Sequence, residues 1–91
     1  MEVISVEHVA GWHVEIEFDE DARHARADAM LRLRDGTELR ARGKAARHPD
    51  DPGEPRVGEE LAGARALTDL AEQLEAKGRR EAHDLRMSGA A

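Results

Sequence analysis

The sequence predicts an α+β domain of two layers, in which a three-stranded antiparallel meander packs on one main C-terminal helix. Three runs of alternating apolar and polar residues occupy the first half of the chain. A stretch at 48–56 holds all the prolines, and a run with helical periodicity begins after it at Val57. Alternation with a period of two is typical of half-buried strands, and apolar residues three or four apart are typical of an amphipathic helix. The predicted order is therefore β-β-β-α, with the helix on the apolar face of the sheet.

The first strand is the clearest of the three. Trp12, Val14, Ile16 and Phe18 alternate with a histidine and two glutamates, so one face is apolar and the other is charged. The residues at 1–11 form an N-terminal extension with apolar residues of the same parity. This extension either lengthens the first strand or pairs elsewhere as an extra strand.

The second and third strands, at 25–34 and 38–45, form a hairpin whose register can be deduced. A two-residue loop would set the charged face of one strand against the apolar face of the other, because side chains alternate with a period of two. A three-residue loop that ends at Gly36, with the glycine in the left-handed conformation, avoids this conflict. It pairs Leu33 with Thr37, Leu31 with Leu39, Arg32 with Glu38 and Asp28 with Arg42.

The helical run predicts one broad apolar stripe that packs on the sheet. Glu59 and Glu60 fall in its predicted first turn, where negative charge complements the helix dipole. Gly78 interrupts the pattern, so either one long helix continues or a short second helix follows. The stripe consists of Val57, Leu61, Ala64, Leu67, Leu70, Ala71 and Leu74.

Length and composition limit the class of protein. The 91 residues form a single domain, with the domain proper at 12–87 and a tail at 88–91. One Trp, one Phe and no Tyr leave a thin aliphatic core, so we expect a homodimer. The chain has no cysteine, no apolar stretch near the ~20 residues that span a bilayer, and no signal-peptide pattern. These features predict a cytoplasmic protein without membrane contact.

The sequence predicts no enzyme, no cofactor and no small-molecule substrate. Gly43 and Lys44 lack the following Ser or Thr of a phosphate-binding loop and lie within a strand. Glu15 and Glu17 lie on an exposed strand face, whereas catalytic carboxyl groups are typically found in a cleft. The acidic turn is more simply a solvated loop than a metal site, although its residue types include metal ligands. Those residues are His48, Asp50, Asp51 and Glu54.

A basic group on the outer sheet face is the one candidate binding site. The net charge of −6 argues against general nucleic-acid binding, which needs cations to neutralise phosphates. Arg65 on the helix is spaced to pair with Asp69, a structural role. The outer face itself has two interpretations, a ladder of cross-strand ion pairs or a patch that meets RNA or an acidic protein. The candidate contact residues are Arg32, Arg40, Arg42, Lys44 and Arg47.

The stretch ARGKAARHPDDPGEPRVGEELAGARALTDLAEQL resembles the signature of a family of small actinobacterial proteins of unknown function. That signature reads roughly GxGxARxxPxD, a short spacer, then IGDELAxARALxDLAxxL. The likeness covers about residues 12–85, and the first glycine of the pattern is replaced by Ala41 here. Ala46 stands where the family has an arginine, so a role for that arginine does not transfer to this chain.

The resemblance implies a fold like the double-stranded-RNA-binding domain and a link to hypoxia and dormancy responses. It also implies association with the ribosome, through a likeness to hibernation factors. Double-stranded-RNA binders present lysines near the start of their last helix, whereas this helix begins with Glu59 and Glu60. The sheet face is therefore the better candidate for an RNA or ribosome contact. A protein-binding, homodimerising module with no nucleic-acid role is the alternative.

Overall fold

A computed structural model of the chain describes residues 10–46 and 55–89. The strands form one antiparallel sheet in the order β1-β2-β3, and the helix lies mainly over β2 and β3. The predicted α+β architecture is confirmed. Most of the N-terminal extension at 1–11, the possible extra strand, and the acidic turn at 48–54 lie outside the described residues, and the described residues 10–13 belong to no strand. The elements are β1 (Val14–Glu20), β2 (His24–Arg32), β3 (Glu38–Ala46) and α1 (Pro55–Ser88).

The β2–β3 hairpin has the predicted register. Leu31 faces Leu39, and the backbone N–H of Leu33 donates to the carbonyl oxygen of Thr37 at 2.8 Å. Gly36 has a φ of +89°, a left-handed conformation that glycine adopts without a steric penalty. This register places the charged side chains of the hairpin on one face and its alanines on the other.

A polar turn at Asp21 joins β1 to β2. Its Oδ1 accepts hydrogen bonds from the backbone N–H groups of Arg23 at 2.7 Å and His24 at 2.8 Å. The guanidinium of Arg26 donates to Oδ2 at 2.8 Å. These bonds, the Arg23 N–H foremost, hold the pKa of the Asp21 carboxyl well below its usual range. The turn is therefore fixed by a carboxylate that is ionised at neutral pH.

The core is built mostly from alanine. Leu31 is the only large side chain of the described residues that is fully buried. Because alanine removes little apolar area from water, the hydrophobic stabilisation of this core is small for its number of residues. The buried apolar residues are Ala25, Ala27, Ala29, Leu31, Ala41, Ala45, Ala62, Ala66 and Leu70.

Gly43 on β3 lets the helix approach the sheet at backbone contact distance. A Cβ at this position would lie 2.0 Å from the carbonyl oxygen of Ala62 and 2.4 Å from the backbone nitrogen of Ala66. No side chain fits between these two backbones. Glycine is required here by close approach rather than by an unusual φ.

The apolar stripe predicted to face the sheet is confirmed at Leu70, which is buried, and at Leu74, which packs against the core, but it is wrong in the first half of the helix. Val57, Leu61 and Leu67 belong to the predicted stripe, yet their exposed fractions are 47%, 46% and 44%. The alanine-lined sheet with Gly43 accepts only a flat helix surface, so the smallest helical residues turn inward and the larger leucines lie on the flanks. The buried helical residues are Ala62, Gly63, Ala66 and Leu70.

The helix is a single element that begins earlier than predicted. It starts at Pro55 and runs through Gly78 to Ser88, so the alternative of a separate second helix does not hold. Proline suits the first helical position because its missing N–H would have no intrahelical partner there. Glu59 and Glu60 consequently lie beyond the first turn, contrary to prediction.

Lys77 ties the helix to the β2–β3 turn. Its Nζ donates to Oδ2 of Asp35 at 2.8 Å and also contacts Glu81 one helical turn later. These bonds, to Asp35 first, raise the pKa of Lys77 and hold the pKa of Asp35 well below its usual range. Residues 78–89 are all exposed, so the helix continues past the sheet.

Candidate interaction surfaces

The outer face of the sheet, which points away from the helix, separates its charges by strand. Carboxylates occupy the edge at β1, and cations occupy the opposite edge at β3. We call Glu15, Glu17 and Asp19 the acidic row, and Arg40, Arg42 and Lys44 the basic row. The strand pairing aligns Glu15 with Met30 and Arg40, Glu17 with Asp28 and Arg42, and Asp19 with Arg26 and Lys44. The face therefore has one acidic edge and one basic edge.

Ion pairs engage most of the predicted contact residues. Glu38 accepts from Arg32 at 3.2 Å and from Arg40 at 2.6 Å, and Arg42 lies 3.0 Å from Asp28. The bond from Arg32, followed by that from Arg40, lowers the pKa of Glu38. Both cross-strand pairs predicted for the hairpin are present. The geometry supports the interpretation of this face as a ladder of ion pairs.

The structure brings together four of the five predicted contact residues. Arg32, Arg40, Arg42 and Lys44 all project from the outer face, and the Arg42 side chain is 89% exposed. Lys44 pairs with no carboxylate of residues 10–46 or 55–89. Arg47 lies outside the described residues.

Side chains of the helix close the backbone edge of β3. Arg65 donates from Nη1 to the carbonyl oxygen of Lys44 at 2.7 Å, and Gln73 donates from Nε2 to the carbonyl oxygen of Arg40 at 2.8 Å. Gln73 also bonds to Asp69, the residue with which Arg65 was expected to pair. Arg65 is structural as predicted, but it acts across the layers rather than along the helix. An edge covered in this way is protected from pairing with another strand.

The inner face of β1 is left largely uncovered by the helix in the described structure. Val14, Ile16 and Phe18 lie on the same face as the buried residues of β2 opposite them. The helix passes over β2 and β3 instead. A Cβ added at Gly63 would lie 3.6 Å from the Phe18 ring. Leu67 lies one helical turn after Gly63 and so flanks the same gap.

Several large apolar side chains are exposed on the inner face of β1 and on the flank of the helix next to it. The exposed fraction is 57% for Trp12, 44% for Phe18 and 44% for Leu67. Large apolar side chains exposed together, rather than singly, mark interaction sites in soluble domains. We refer to Trp12, Val14, Phe18 and Leu67 as the β1 apolar surface.

The sequence contained a signal for this surface that hydrophobic periodicity does not register. Ala62, Gly63 and Ala66 are small residues that share one side of the helix near its start, and Gly43 lies in a strand whose inward neighbours are alanines. Small residues on both layers predict a close contact between them. A close contact through these residues necessarily turns Leu61 and Leu67 away from the sheet.

Two carboxyl groups meet where the end of β1 lies beside the helix. A hydrogen bond with Glu20 is the main cause that raises the pKa of Glu59, and burial and the nearby charges of Glu20 and Glu60 act in the same direction. Two carboxylates in contact repel when both are ionised. Within residues 10–46 and 55–89, no group of three His, Asp or Glu side chains is placed to hold a metal ion.

The described helix is too polar along its length to cross a bilayer. This agrees with the row of exposed charged residues on its outward side.

Comparison with known proteins gives one family and a matching crystal structure. The model of the Rv2632c-like family matches residues 10–89. The uncharacterized proteins Mb1767 of Mycobacterium bovis and MT1780 of Mycobacterium tuberculosis are each 43% identical to this chain over 63 residues. That alignment covers 69% of this chain and 66% of each relative, slightly less than two thirds of their length. The crystal structure of Rv2632c superposes with a TM-score of 0.80 at 31% identity, over 88% of this chain and 94% of that one.

Proposed function

The chain belongs to the Rv2632c-like family, and we propose that it is a non-enzymatic interaction protein that self-associates through the β1 apolar surface. The observation that carries the proposal is the joint exposure of Trp12, Phe18 and Leu67 beside a thin alanine core. Burial of apolar area contributes roughly 25 cal/mol per Å², so covering these side chains would add stabilisation that the core lacks. A second copy supplies that cover to both chains at once.

Three of the four carboxyl groups with a shifted pKa in the described residues support a structural rather than a catalytic role; Glu59 is the exception. Asp21, Asp35 and Glu38 have lowered pKa values because each accepts hydrogen bonds that fix a turn or a pair of strands. Catalytic groups are typically shifted by burial in a cleft. These three lie at exposed turns and on the open sheet face.

Light scattering coupled to size exclusion tests the self-association. We expect the mass of two chains at high micromolar concentration, and the mass of one chain for Phe18→Glu and for Leu67→Glu, because each variant places a charge in the contact. Leu85→Glu is the matched control, since Leu85 is 71% exposed on the part of the helix beyond the sheet. Circular dichroism confirms that each variant is folded. A wild-type mass of one chain over the whole concentration range would overturn the proposal.

A second candidate function is association with the ribosome or another RNA through the outer sheet face. The basic row favours it, because Arg40, Arg42 and Lys44 are consecutive outward residues of an edge strand. The family resemblance adds a stress- or dormancy-linked setting and a fold like the double-stranded-RNA-binding domain. The ion pairs of Arg40 and Arg42 weigh against it, because a phosphate would have to displace their carboxylate partners.

Co-sedimentation with actinobacterial ribosomes at low and moderate salt tests this second function. If it holds, the protein travels with a ribosomal particle, and the double variant Arg40→Glu with Arg42→Glu stays at the top of the gradient. The salt dependence should be shallow, because Arg32, Arg40 and Arg42 already pair with carboxylates and only Lys44 of the four described contact residues does not. Sedimentation that is absent at both salts, or unchanged in the double variant, would contradict it.

A further inference from the structure

We propose that the free edge of β1 binds an extended peptide segment in which basic and apolar residues alternate, as a fourth strand of the sheet. This site adjoins the self-association surface but differs from it in its main-chain and charge contacts, which use the backbone edge and the outer face of β1. The partner is a protein segment of that pattern, and its recognition combines main-chain hydrogen bonds with charge complementarity.

The two edges of the sheet differ in what covers them. Along two antiparallel strands, hydrogen-bonded residue pairs alternate with non-hydrogen-bonded pairs. Residues of a non-hydrogen-bonded pair direct their N–H and C=O groups away from the neighbouring strand. Asp21 bonds across β1 and β2, so alternation directs the N–H and C=O groups of Val14, Ile16 and Phe18 away from β2. No residue within the described ranges bonds to the outward groups of these three.

The same alternation accounts for the closed edge at β3. Leu33 bonds across the hairpin to Thr37, so the outward groups of β3 belong to the even-numbered residues. The carbonyls of Arg40 and Lys44 are among them, and these are the two that accept from Gln73 and Arg65. The helix thus blocks strand addition at β3 and leaves it open at β1.

The side chains of β1 specify the pattern of an added strand. Val14, Ile16 and Phe18 form its apolar inner face, and the acidic row forms its outer face. A neighbouring strand presents its side chains to the same two faces with a period of two. Apolar residues at every second position extend the β1 apolar surface, and basic residues between them lie beside the acidic row.

A second copy of β1 is a poor occupant of this edge. An antiparallel pair centred on Glu17 sets Glu17 opposite its own copy and Glu15 opposite Asp19. Like charges directly opposite each other are destabilising. The acidic row therefore disfavours edge-to-edge pairing of two copies and favours a basic segment.

The test uses two synthetic peptides, VKVKVKV and VEVEVEV, which share their apolar residues and differ only in charge. Binding is measured by calorimetry, and backbone amide exchange of Ile16 and Phe18 is followed by NMR. We expect the lysine peptide to bind at least about tenfold more tightly than the glutamate peptide, because three neighbouring pairs change from attraction to repulsion. It should also slow exchange of the Ile16 and Phe18 amides.

Charge reversal on β1 provides the sharpest variant. Glu15→Lys with Glu17→Lys should reverse the preference between the two peptides and leave the self-association unchanged. Glu60→Lys with Glu72→Lys is the control, because it makes the same change of net charge at exposed helical positions. This control should keep the preference for the lysine peptide.

Any other outcome contradicts the proposed strand site, and the outcomes distinguish failure of this site from failure of the proposed self-association. Equal binding of both peptides, lost in Phe18→Glu, would leave an apolar contact and overturn the charge-specific strand. Slow amide exchange of Ile16 and Phe18 before any peptide is added would show that a strand of the protein itself already covers the edge. Absence of peptide binding in a protein that scatters light as two chains would overturn the strand site alone. Absence of binding in a single-chain protein would overturn both proposals.

Discussion

Replacing Gly43 with alanine tests whether backbone contact between helix and sheet organises the fold. The added Cβ would lie 2.0 Å from the Ala62 oxygen, whereas ordinary contact begins at 3.4 Å. The atoms in the way are backbone, so no side-chain rotation relieves the overlap, and the helix must retreat by about 1.4 Å to restore ordinary contact. Overpacking costs ~1–3 kcal/mol, and retreat also weakens the hydrogen bond from Arg65 to Lys44, worth ~0.5–1.5 kcal/mol.

We therefore expect Gly43→Ala to lower the free energy of unfolding by about 3 kcal/mol, out of about 5–14 kcal/mol for a domain of this length. The midpoint of thermal unfolding, followed by circular dichroism, should fall by at least ~12 °C. Gly78→Ala is the matched control, because its Cβ meets nothing within 4 Å and alanine is the better helix former. A Gly43→Ala midpoint within ~2 °C of wild type would refute close backbone packing.

Three further predictions concern the core and the titratable pairs. Leu31→Ala should lower the free energy of unfolding by about 2–5 kcal/mol in urea titration, because it empties the largest fully buried site. The raised pKa of Glu59 means that the folded state holds its proton more tightly, so stability falls as pH rises from the ordinary glutamate pKa through the raised one. Glu59→Gln should flatten the slope of the free energy of unfolding against pH, measured by urea titration. An unchanged slope would show that the contact between Glu59 and Glu20 does not cause it. Asp35 has a lowered pKa, so its contribution is present at neutral pH and is lost as pH falls towards that value. Lys77→Met should lower the free energy of unfolding at neutral pH. Plotted against pH, the free energies of unfolding of the variant and the wild type should converge in acid.

The sheet could be predicted in detail because its information is local. Alternation identifies the strands, and the position of Gly36 between Leu33 and Thr37 admits one loop that keeps like faces together. The pair of Asp28 with Arg42 then follows from counting residues outward from the turn. The resemblance to a small actinobacterial family is confirmed as well, since the family model matches residues 10–89.

The orientation of the helix could not be predicted from the same kind of pattern. Hydrophobic periodicity ranks Leu61 and Leu67 above Ala62 and Ala66 as core residues, because it scores polarity and ignores size. Which face turns inward depends on the distance between the layers, and Gly43 sets that distance from another element. The hydrogen bond from Arg65 to the Lys44 carbonyl oxygen depends on the same distance between the layers, so it could not be predicted from the sequence pattern either.

Close packing and surface exposure are therefore two consequences of one choice of residues. The glycine and alanines that let the backbones touch also leave Leu67 and Phe18 facing water. The free energy that an inward leucine would contribute within one chain becomes available only when another molecule covers these side chains. Binding of that kind stabilises the folded state by mass action, so the proposed self-association predicts that the stability of this domain rises with protein concentration. A domain with larger core residues and a helix further from the sheet would lose this dependence together with its exposed apolar surface.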